Sequence, residues 1–245
     1  MRNIKLILAY DGTEFAGWQT QKDQRTVQAT LEGAIATITG EKVFANASGR
    51  TDAGVHAFAQ VVNFKTESKH APETFLRAVN ANLPADMVIA QAEEATLDFD
   101  ACRHAVRKMY RYVLQDGPTP DLFLRRYSWY VPYGRLNDAA VKEAAKCLVG
   151  RHDFHSFETD WPNRETSVRT ITHLSVNRLG HLLWIDAEAD GFLYNMVRSI
   201  AGTLVNVGRG YWPADEVPKI LAAEDRTVAG PTAPPQGLFL VRVTY

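Results

Sequence analysis

The hydrophobic and polar positions of the first hundred residues predict six elements. Apolar residues recur at helical spacing from Val27 to Ile38, while residues 58–65 alternate as a strand does. Thr26 is placed to cap that helix and Gly40 to end it. In order, the pattern predicts a strand at 4–10, a helix at 27–39, strands at 41–47 and 58–65, a helix at 72–82 and a strand at 87–96.

The same order of elements repeats in the rest of the chain. The pattern predicts a strand at 108–115, a helix from Asn137 to Gly150, hairpin strands at 168–177 and 181–189, a helix at 192–207 and a last strand at 238–244. Two tandem split β-α-β units predict an α+β fold with two ferredoxin-like, largely antiparallel halves, residues 1–105 and 106–245. We expect a catalytic cleft between the halves.

Two segments, 116–135 and 150–167, are long insertions with no predicted element of the repeat. Insertions of this length in a compact domain usually serve function or are ordered by a ligand. We expect both to touch the substrate, although the pattern assigns no particular residue in them.

Composition is that of an ordinary globular protein, and charge is uneven along the chain. Of 245 residues, 46% are hydrophobic and the net charge is −1, which by itself argues against a nucleic-acid partner. Residues 1–100 carry a net −4 and residues 101–245 a net +3. A basic stripe, defined as Arg103, His104, Arg107, Lys108 and Arg111, lies in a stretch without acidic residues. Such a stripe is either a solvated face or a track for a phosphate backbone.

Cysteine and histidine spacing favours a metal-free cytoplasmic protein. Cys102 and Cys147 lie far apart and fit no zinc or redox spacing, so we expect two reduced thiols. His152 and His155 have a spacing that suits a metal on a helix, but they follow the helix-ending Gly150, so we expect no metal there. The N-terminal apolar run is short and interrupted by a lysine, and no apolar stretch is long enough to cross a membrane.

Residues 49–57, Gly-Arg-Thr-Asp-Ala-Gly-Val-His-Ala, carry the most specific chemical signal. A short loop between two predicted strands would hold the Asp52 carboxylate while glycines let another chain approach. Taken alone, Asp-Ala-Gly is also ordinary β-turn chemistry. Aspartyl proteases need paired Asp-Thr/Ser-Gly loops and aspartate phosphatases need Asp-x-Asp, so Gly54 and the single loop argue against both hydrolases. The phosphate-binding P-loop pattern is also absent from the sequence.

Six short motifs resemble those of the tRNA pseudouridine synthase I (TruA) family, in that family's order and over essentially the whole chain. They lie at residues 49–57, 8–19, 26–28, 99–112, 192–198 and 233–238. The resemblance implies an isomerase that converts uridine to pseudouridine in the anticodon stem-loop of tRNA, at positions 38–40 in tRNA nomenclature. It also implies a homodimer in which one tRNA contacts both subunits.

The chemistry implied by the resemblance needs a carboxylate, a flipped-out base and a dry pocket. The bond from ribose C1′ to N1 of the base is broken, the base is rotated, and a new bond joins C1′ to C5, without redox change or loss of atoms, so we expect no cofactor. Asp52 is the implied carboxylate. It could attack the sugar C1′, remove a sugar proton or add to the base ring, and the residues do not separate these routes.

Four further residues complete the expected site. The resemblance makes Arg198 the salt-bridge partner of Asp52, and the helical pattern places it off the buried stripe of its helix. Tyr110 should stack on the target base, which is worth about 1–3 kcal/mol per base, and could also move a proton. Arg50 is placed to hold phosphate or fill the gap left by the base, and Leu238 to form an apolar pocket wall.

Each of these residues also has an ordinary interpretation. Arg198 could be a solvated surface arginine, Tyr110 and Leu238 could pack in their strands, and Arg50 could be a local turn partner of Asp52. The alternative function is a non-catalytic RNA-binding protein, which would keep the basic stripe and have no use for Asp52.

Overall fold

The computed structural model describes residues 1–159 and 166–245, which form two units. The first unit comprises Met1–Val106 with Phe239–Tyr245, and the second comprises Arg107–Leu238. They differ from the predicted halves, 1–105 and 106–245, mainly in the last residues of the chain, which group with the first unit. Part of the predicted insertion at 150–167, residues 160–165, lies outside the described residues.

In the first unit the elements follow the predicted order. They are β1 (Arg2–Tyr10), α1 (Val27–Thr39), β2 (Asn46–Ala47), β3 (His56–Thr66), α2 (Pro72–Asn80) and β4 (Met87–Ala95), with a one-turn 3-10 helix at Gly12–Glu14. The strand order is β4-β1-β3-β2, and all three pairings are antiparallel. This is the arrangement of a split β-α-β unit.

The caps predicted for α1 are confirmed. Thr26 has extended backbone, and its hydroxyl accepts a hydrogen bond from the N–H of Ala29. Gly40 takes a left-handed conformation (φ 72°) at the other end, where a residue with a side chain would be strained. The helix buries Leu31 and Ile35 completely, as its apolar spacing predicts.

The strand predicted at 41–47 is present only as the two-residue β2. Side chains, and not a neighbouring strand, take up the polar groups before it. The N–H of Ala45 donates to the Glu32 carboxylate at 2.9 Å, and the N–H of Glu41 donates to the Thr39 hydroxyl at 3.1 Å. Bonds from side chains to the backbone compete with a strand ladder.

The second unit repeats the order with additional short elements. They are β5 (Arg107–Gln115), β6 (Trp129–Tyr130), α3 (Asp138–Lys146), β7 (Gly150–Asp153), β8 (Val168–Leu179), β9 (Leu182–Ala189), α4 (Met196–Gly208) and α5 (Glu216–Ala223). The strand order β5-β9-β8-β7 is antiparallel throughout, and β6 pairs parallel with β5. The prediction of a mixed α+β, largely antiparallel fold is therefore confirmed.

The helices of the second unit differ from the prediction in three ways. The helix capped by Asn137 ends at Lys146, and Gly150 instead begins β7, so His152 lies on a strand. α4 begins at Met196 and not at residue 192, because Asn195 adopts a left-handed backbone (φ 61°) that cannot continue a helix backwards. The short helix α5 was not predicted at all.

From Phe239 onward, the last strand, β10 (Leu238–Thr244), belongs to the first unit. It pairs parallel with the start of β3, with Phe239 opposite His56 and Leu240 opposite Ala57. The final part of the chain thereby lies directly beside the strand that follows the Asp52 loop.

A buried charged cluster fixes the insertion that follows β5. The Asp116 carboxylate accepts from Arg178 at 2.9 Å and from the N–H of Leu136 at 2.9 Å, and Arg178 also donates to Asp138 at 3.2 Å. Both ends of the segment from Asp116 to Leu136 are thus held to the body of the unit.

None of the helices within residues 1–159 and 166–245 is both long and apolar enough to span a membrane.

Candidate active site

Asp52 lies in a loop whose backbone is held on both sides. The hydroxyl oxygens of Thr51 and Tyr10 lie 2.8 Å apart, within hydrogen-bonding distance, and the Thr51 carbonyl accepts from the N–H of Trp18 at 2.9 Å. On the other side, the N–H of Val55 donates to the Asp52 carbonyl at 3.1 Å and closes a turn. Asp52 therefore sits at a fixed place between β2 and β3.

Two glycines allow the segment after β1 to lie directly on this loop. A Cβ at Gly12 would stand 2.0 Å from the Val55 carbonyl oxygen. A Cβ at Gly17, whose φ is +93°, would stand 2.8 Å from the Thr51 carbonyl oxygen. These distances are shorter than real Cβ contacts, so the close approach requires glycine at both positions.

A buried polar network supports the loop from below. Gln60 of β3 donates from Nε2 to the Gly49 carbonyl at 2.8 Å and accepts from the Ser48 hydroxyl at 2.6 Å. Burial raises the pKa of Tyr10 to about 12, so its hydroxyl stays protonated at neutral pH and keeps its bond with Thr51. Paired buried groups of this kind favour one loop geometry over others.

His56 is buried at the start of β3 and contacts the segment after β1. Its Nδ1 accepts from the N–H of Gly12 at 3.0 Å and lies 3.2 Å from the Asp11 carboxylate. These contacts tie the start of β3 to the segment that follows β1. Within the described ranges, no group of three or more His, Cys, Asp or Glu side chains is arranged to hold a metal ion.

Arg198 lies in the first turn of α4 and is clamped by its neighbours. Its Nε donates to the Ala233 carbonyl at 2.7 Å, and its Nη1 donates to the Asn195 side chain at 2.6 Å. The N–H of Ala233 donates in return to the Arg198 carbonyl at 3.1 Å. Asn195 is itself held by Thr159, which accepts from its amide at 3.0 Å. The plane of the guanidinium is therefore fixed within the second unit.

Tyr110 projects from β5, opposite Ala187 of β9, and is 8% exposed. Its ring meets the ring of Phe192 edge to face, with centroids 5.1 Å apart. Two residues on, Tyr112 donates to the Pro234 carbonyl at 2.7 Å. This bond holds the segment before β10 against β5, and the buried Leu238 follows directly after that segment.

The structure places the five predicted site residues in two groups. Arg50 and Asp52 lie in the first unit, while Tyr110, Arg198 and Leu238 lie in the second. Arg50 is exposed, and its side chain makes no hydrogen bond or ion pair with any residue in the described part of the chain. The pairing of Asp52 with Arg198 and the expected cleft stay predictions.

Sequence reasoning missed the residues that hold these groups in place: Tyr10 and Gln60 in the first unit, and Asn195 in the second. Tyr10 and Asn195 fall within the quoted motifs, so their presence there was a signal. Gln60 was visible only as a polar residue among the apolar positions of β3.

The basic stripe is partly used inside the protein. Arg111 makes a two-pronged pair with the buried Asp186 at 2.6 and 2.8 Å, and Arg107 lies 3.5 Å from Glu188. Both acidic partners lie on β9. Arg111 therefore contributes less to a phosphate track than the sequence suggests, while Arg107 stays partly exposed. Arg103 and His104 are exposed.

Comparison with known proteins points to one family. The model of a family described as tRNA pseudouridine synthase matches residues 6–104 and 144–245. A protein of Acetivibrio thermocellus named tRNA pseudouridine synthase A is 45% identical over 245 residues, which is 100% of both chains. Proteins of the same name from Thermoanaerobacter sp. strain X514 and Brevibacillus brevis are each 44% identical over 100% of both chains.

Similarity to solved structures is much weaker. A chain in a Cbf5-Nop10-Gar1 complex is 12% identical and has a TM-score of 0.37, with 99% of this chain and 58% of that chain covered. A similarity of this size is too low to bear on the fold or the activity.

Replacing the hydroxyl that supports the loop should destabilise the protein. We expect Tyr10→Phe to lower the free energy of unfolding by about 1–3 kcal/mol, because the buried Thr51 hydroxyl loses its partner. Urea unfolding followed by circular dichroism measures the change. Tyr211→Phe, which removes an exposed hydroxyl, should leave the unfolding curve unchanged. Equal midpoints for wild type and Tyr10→Phe would show that the bond contributes nothing.

Proposed function

Because the chain belongs to the tRNA pseudouridine synthase family and isomerises uridine to pseudouridine in tRNA, we propose that Asp52 supplies the carboxylate for that reaction. The observation that carries the proposal is the loop itself. The loop is fixed on both sides of Asp52: Thr51 bonds Tyr10 through its hydroxyl and Trp18 through its carbonyl, and the Asp52 carbonyl accepts from Val55. A carboxylate held in advance needs little reorganisation when charge develops on the substrate.

Three chemical roles suit a carboxylate in this position. It attacks the sugar C1′ and displaces the base by breaking the C1′–N1 bond, or it removes a proton from the sugar, or it adds to the base ring. All three require the ionised form and a base turned out of its stack. The reaction conserves atoms and electrons, so we propose that it uses no cofactor.

We propose that Arg198 keeps Asp52 ionised by pairing with it. An arginine fork recognises a carboxylate with two parallel hydrogen bonds when its plane is set in advance. The bonds from Nε to Ala233 and from Nη1 to Asn195 fix the plane of the Arg198 guanidinium. They support the proposal because a loosely held guanidinium would lose side-chain entropy each time the pair formed.

The remaining predicted residues are proposed to handle the RNA. Tyr110, braced edge to face by Phe192, would stack on the target base. Leu238, buried at the start of β10, would form an apolar wall beside that base. Arg50 has an exposed side chain that could hold a phosphate or occupy the space the base leaves.

We propose that the target lies at positions 38–40 of the anticodon stem-loop, and that the protein acts as a homodimer with one tRNA across both subunits. A solution mass of one chain, measured by light scattering with tRNA present, would contradict the dimer. We expect the protein to act in the cytoplasm, where its two free thiols, Cys102 and Cys147, would stay reduced. The alternative of a non-catalytic RNA-binding protein is not favoured, because relatives that match the whole chain are named as synthases.

Product mapping tests the proposed position. The purified protein should convert uridines at tRNA positions 38, 39 and 40 in an unmodified transcript, and carbodiimide treatment followed by primer extension should show stops there. A transcript with cytidine at all three positions is the control and should give no stops. Pseudouridine formed in another arm of the tRNA would contradict the proposed target.

Replacing the Arg198 guanidinium by an ammonium, which keeps the positive charge, tests the proposed role of Arg198. In Arg198→Lys the ammonium cannot make the bonds to Ala233 and Asn195 and also pair with a carboxylate in the same geometry. We expect the single-turnover rate to fall by roughly a hundredfold, with tRNA affinity within about threefold of wild type. Arg209→Lys, which changes an exposed arginine just after the same helix, should keep the wild-type rate. An unchanged rate in Arg198→Lys would remove Arg198 from the mechanism.

A further inference from the structure

Three rings in the first unit form a stacked column that ends at the surface. His56 and Phe239 lie nearly parallel with centroids 4.7 Å apart, and Phe239 and Phe58 lie nearly parallel with centroids 5.2 Å apart. His56 is 2% exposed, Phe239 is 7% exposed and Phe58 is 56% exposed. The column therefore runs from a buried imidazole to a phenyl ring that faces solvent.

The strand pairing explains why the column is rigid. His56 and Phe58 project from the same face of β3 because side chains alternate along a strand. Phe239, on the adjacent β10, pairs with His56, and His56 accepts from the N–H of Gly12. A single exposed phenylalanine is common and needs no explanation, but a flat ring braced from behind by two buried rings is a prepared stacking surface.

The column stands next to the loop that carries the proposed chemistry. Its first ring, His56, is four residues beyond Asp52 in the chain. Gln60, on the same face of β3 and two residues beyond Phe58, holds the carbonyl of Gly49, the residue before Arg50. One buried glutamine thus links the strand that carries the exposed Phe58 to the loop that carries the exposed Arg50.

We propose that the outer face of Phe58 stacks a second nucleobase of the substrate RNA, one that flanks the uridine undergoing reaction, with Arg50 at the adjoining phosphate. This inference rests on the proposed function. Every base offers a π-face to an aromatic ring, and a neighbouring arginine suits the phosphodiester that joins stacked nucleotides. A protein partner would instead favour an apolar surround for such an anchor.

The stacked nucleotide would help to position the RNA and would not take part in bond making. Tyr110 is assigned to the target base, so Phe58 serves a different nucleotide. Its loss should weaken binding in the ground state and the transition state alike, which lowers kcat/KM and leaves the rate at saturation nearly unchanged.

Matched substitutions distinguish stacking by the Phe58 ring from the effect of side-chain size alone. Phe58→Leu keeps an apolar side chain but removes the π-face, and Phe58→Tyr restores it. Phe44→Leu is the control, because Phe44 is 66% exposed in the same unit. The chain near Phe44 also meets β3 at a different place, because Asn46, two residues after Phe44, pairs with Asn63, which is five residues beyond Phe58. Binding of an unmodified tRNA transcript is measured by fluorescence anisotropy at fixed salt, and tritium release from uridine C5 is measured with saturating enzyme.

Phe58→Leu should raise the Kd for tRNA about tenfold, within the range of roughly fivefold to 150-fold that loss of one stacked base allows. Phe58→Tyr should stay within about twofold of wild type, Phe44→Leu should bind as wild type does, and the saturated rate of all three should lie within about threefold of wild type. A p-benzoylphenylalanine placed at position 58 should crosslink to a nucleotide of the anticodon stem-loop.

Two results would overturn the inference while the wild type still releases tritium: wild-type affinity in Phe58→Leu, or an equal loss of affinity in Phe44→Leu. A crosslink to protein only would assign the column to a protein contact and would also overturn it. Failure of the proposed function would look different, because the wild type itself would then release no tritium from tRNA.

Discussion

The hydrogen bond between the buried hydroxyls of Tyr10 and Thr51 is the constraint on which the site in the first unit depends. It ties the end of β1 to the residue immediately before Asp52, across 41 positions of sequence. The antiparallel pairing of β1 with β3 brings the two together, and Gln60 extends the network to the start of the loop. Without this support the Asp52 segment would be an ordinary surface turn between two strands.

In the second unit, the predicted charged residue is fixed through its side chain. The Arg198 side chain is long, and its bonds to Asn195 and Ala233 restrict the guanidinium. In each unit, hydrogen bonds fix one predicted site residue: the backbone of Asp52 in the first unit and the side chain of Arg198 in the second. Such bonds would pre-organise these groups for the proposed reaction. The stacked column that ends at Phe58 is held in a comparable way by its ring contacts.

The sequence predicts elements well where local signals agree. The Thr26 and Gly40 caps and the apolar spacing between them specify α1. Prediction fails where distant contacts decide: the Glu32 side chain takes the backbone of residue 45 out of a strand ladder, and the left-handed Asn195 delays α4. The motifs indicated Asp52 and Arg198, but the network around Tyr10 depends on strand pairing that no local pattern encodes.

Single-turnover tritium release from tRNA labelled at uridine C5 tests most directly whether the Asp52 carboxylate carries out the isomerisation. The comparison is between wild type and Asp52→Asn, which keeps the size of the side chain and removes its charge. We expect release by the wild type, no measurable release by the variant, and equal tRNA affinity for both. Release by Asp52→Asn at the wild-type rate would contradict this role of Asp52 and would show that the loop is only a structural turn.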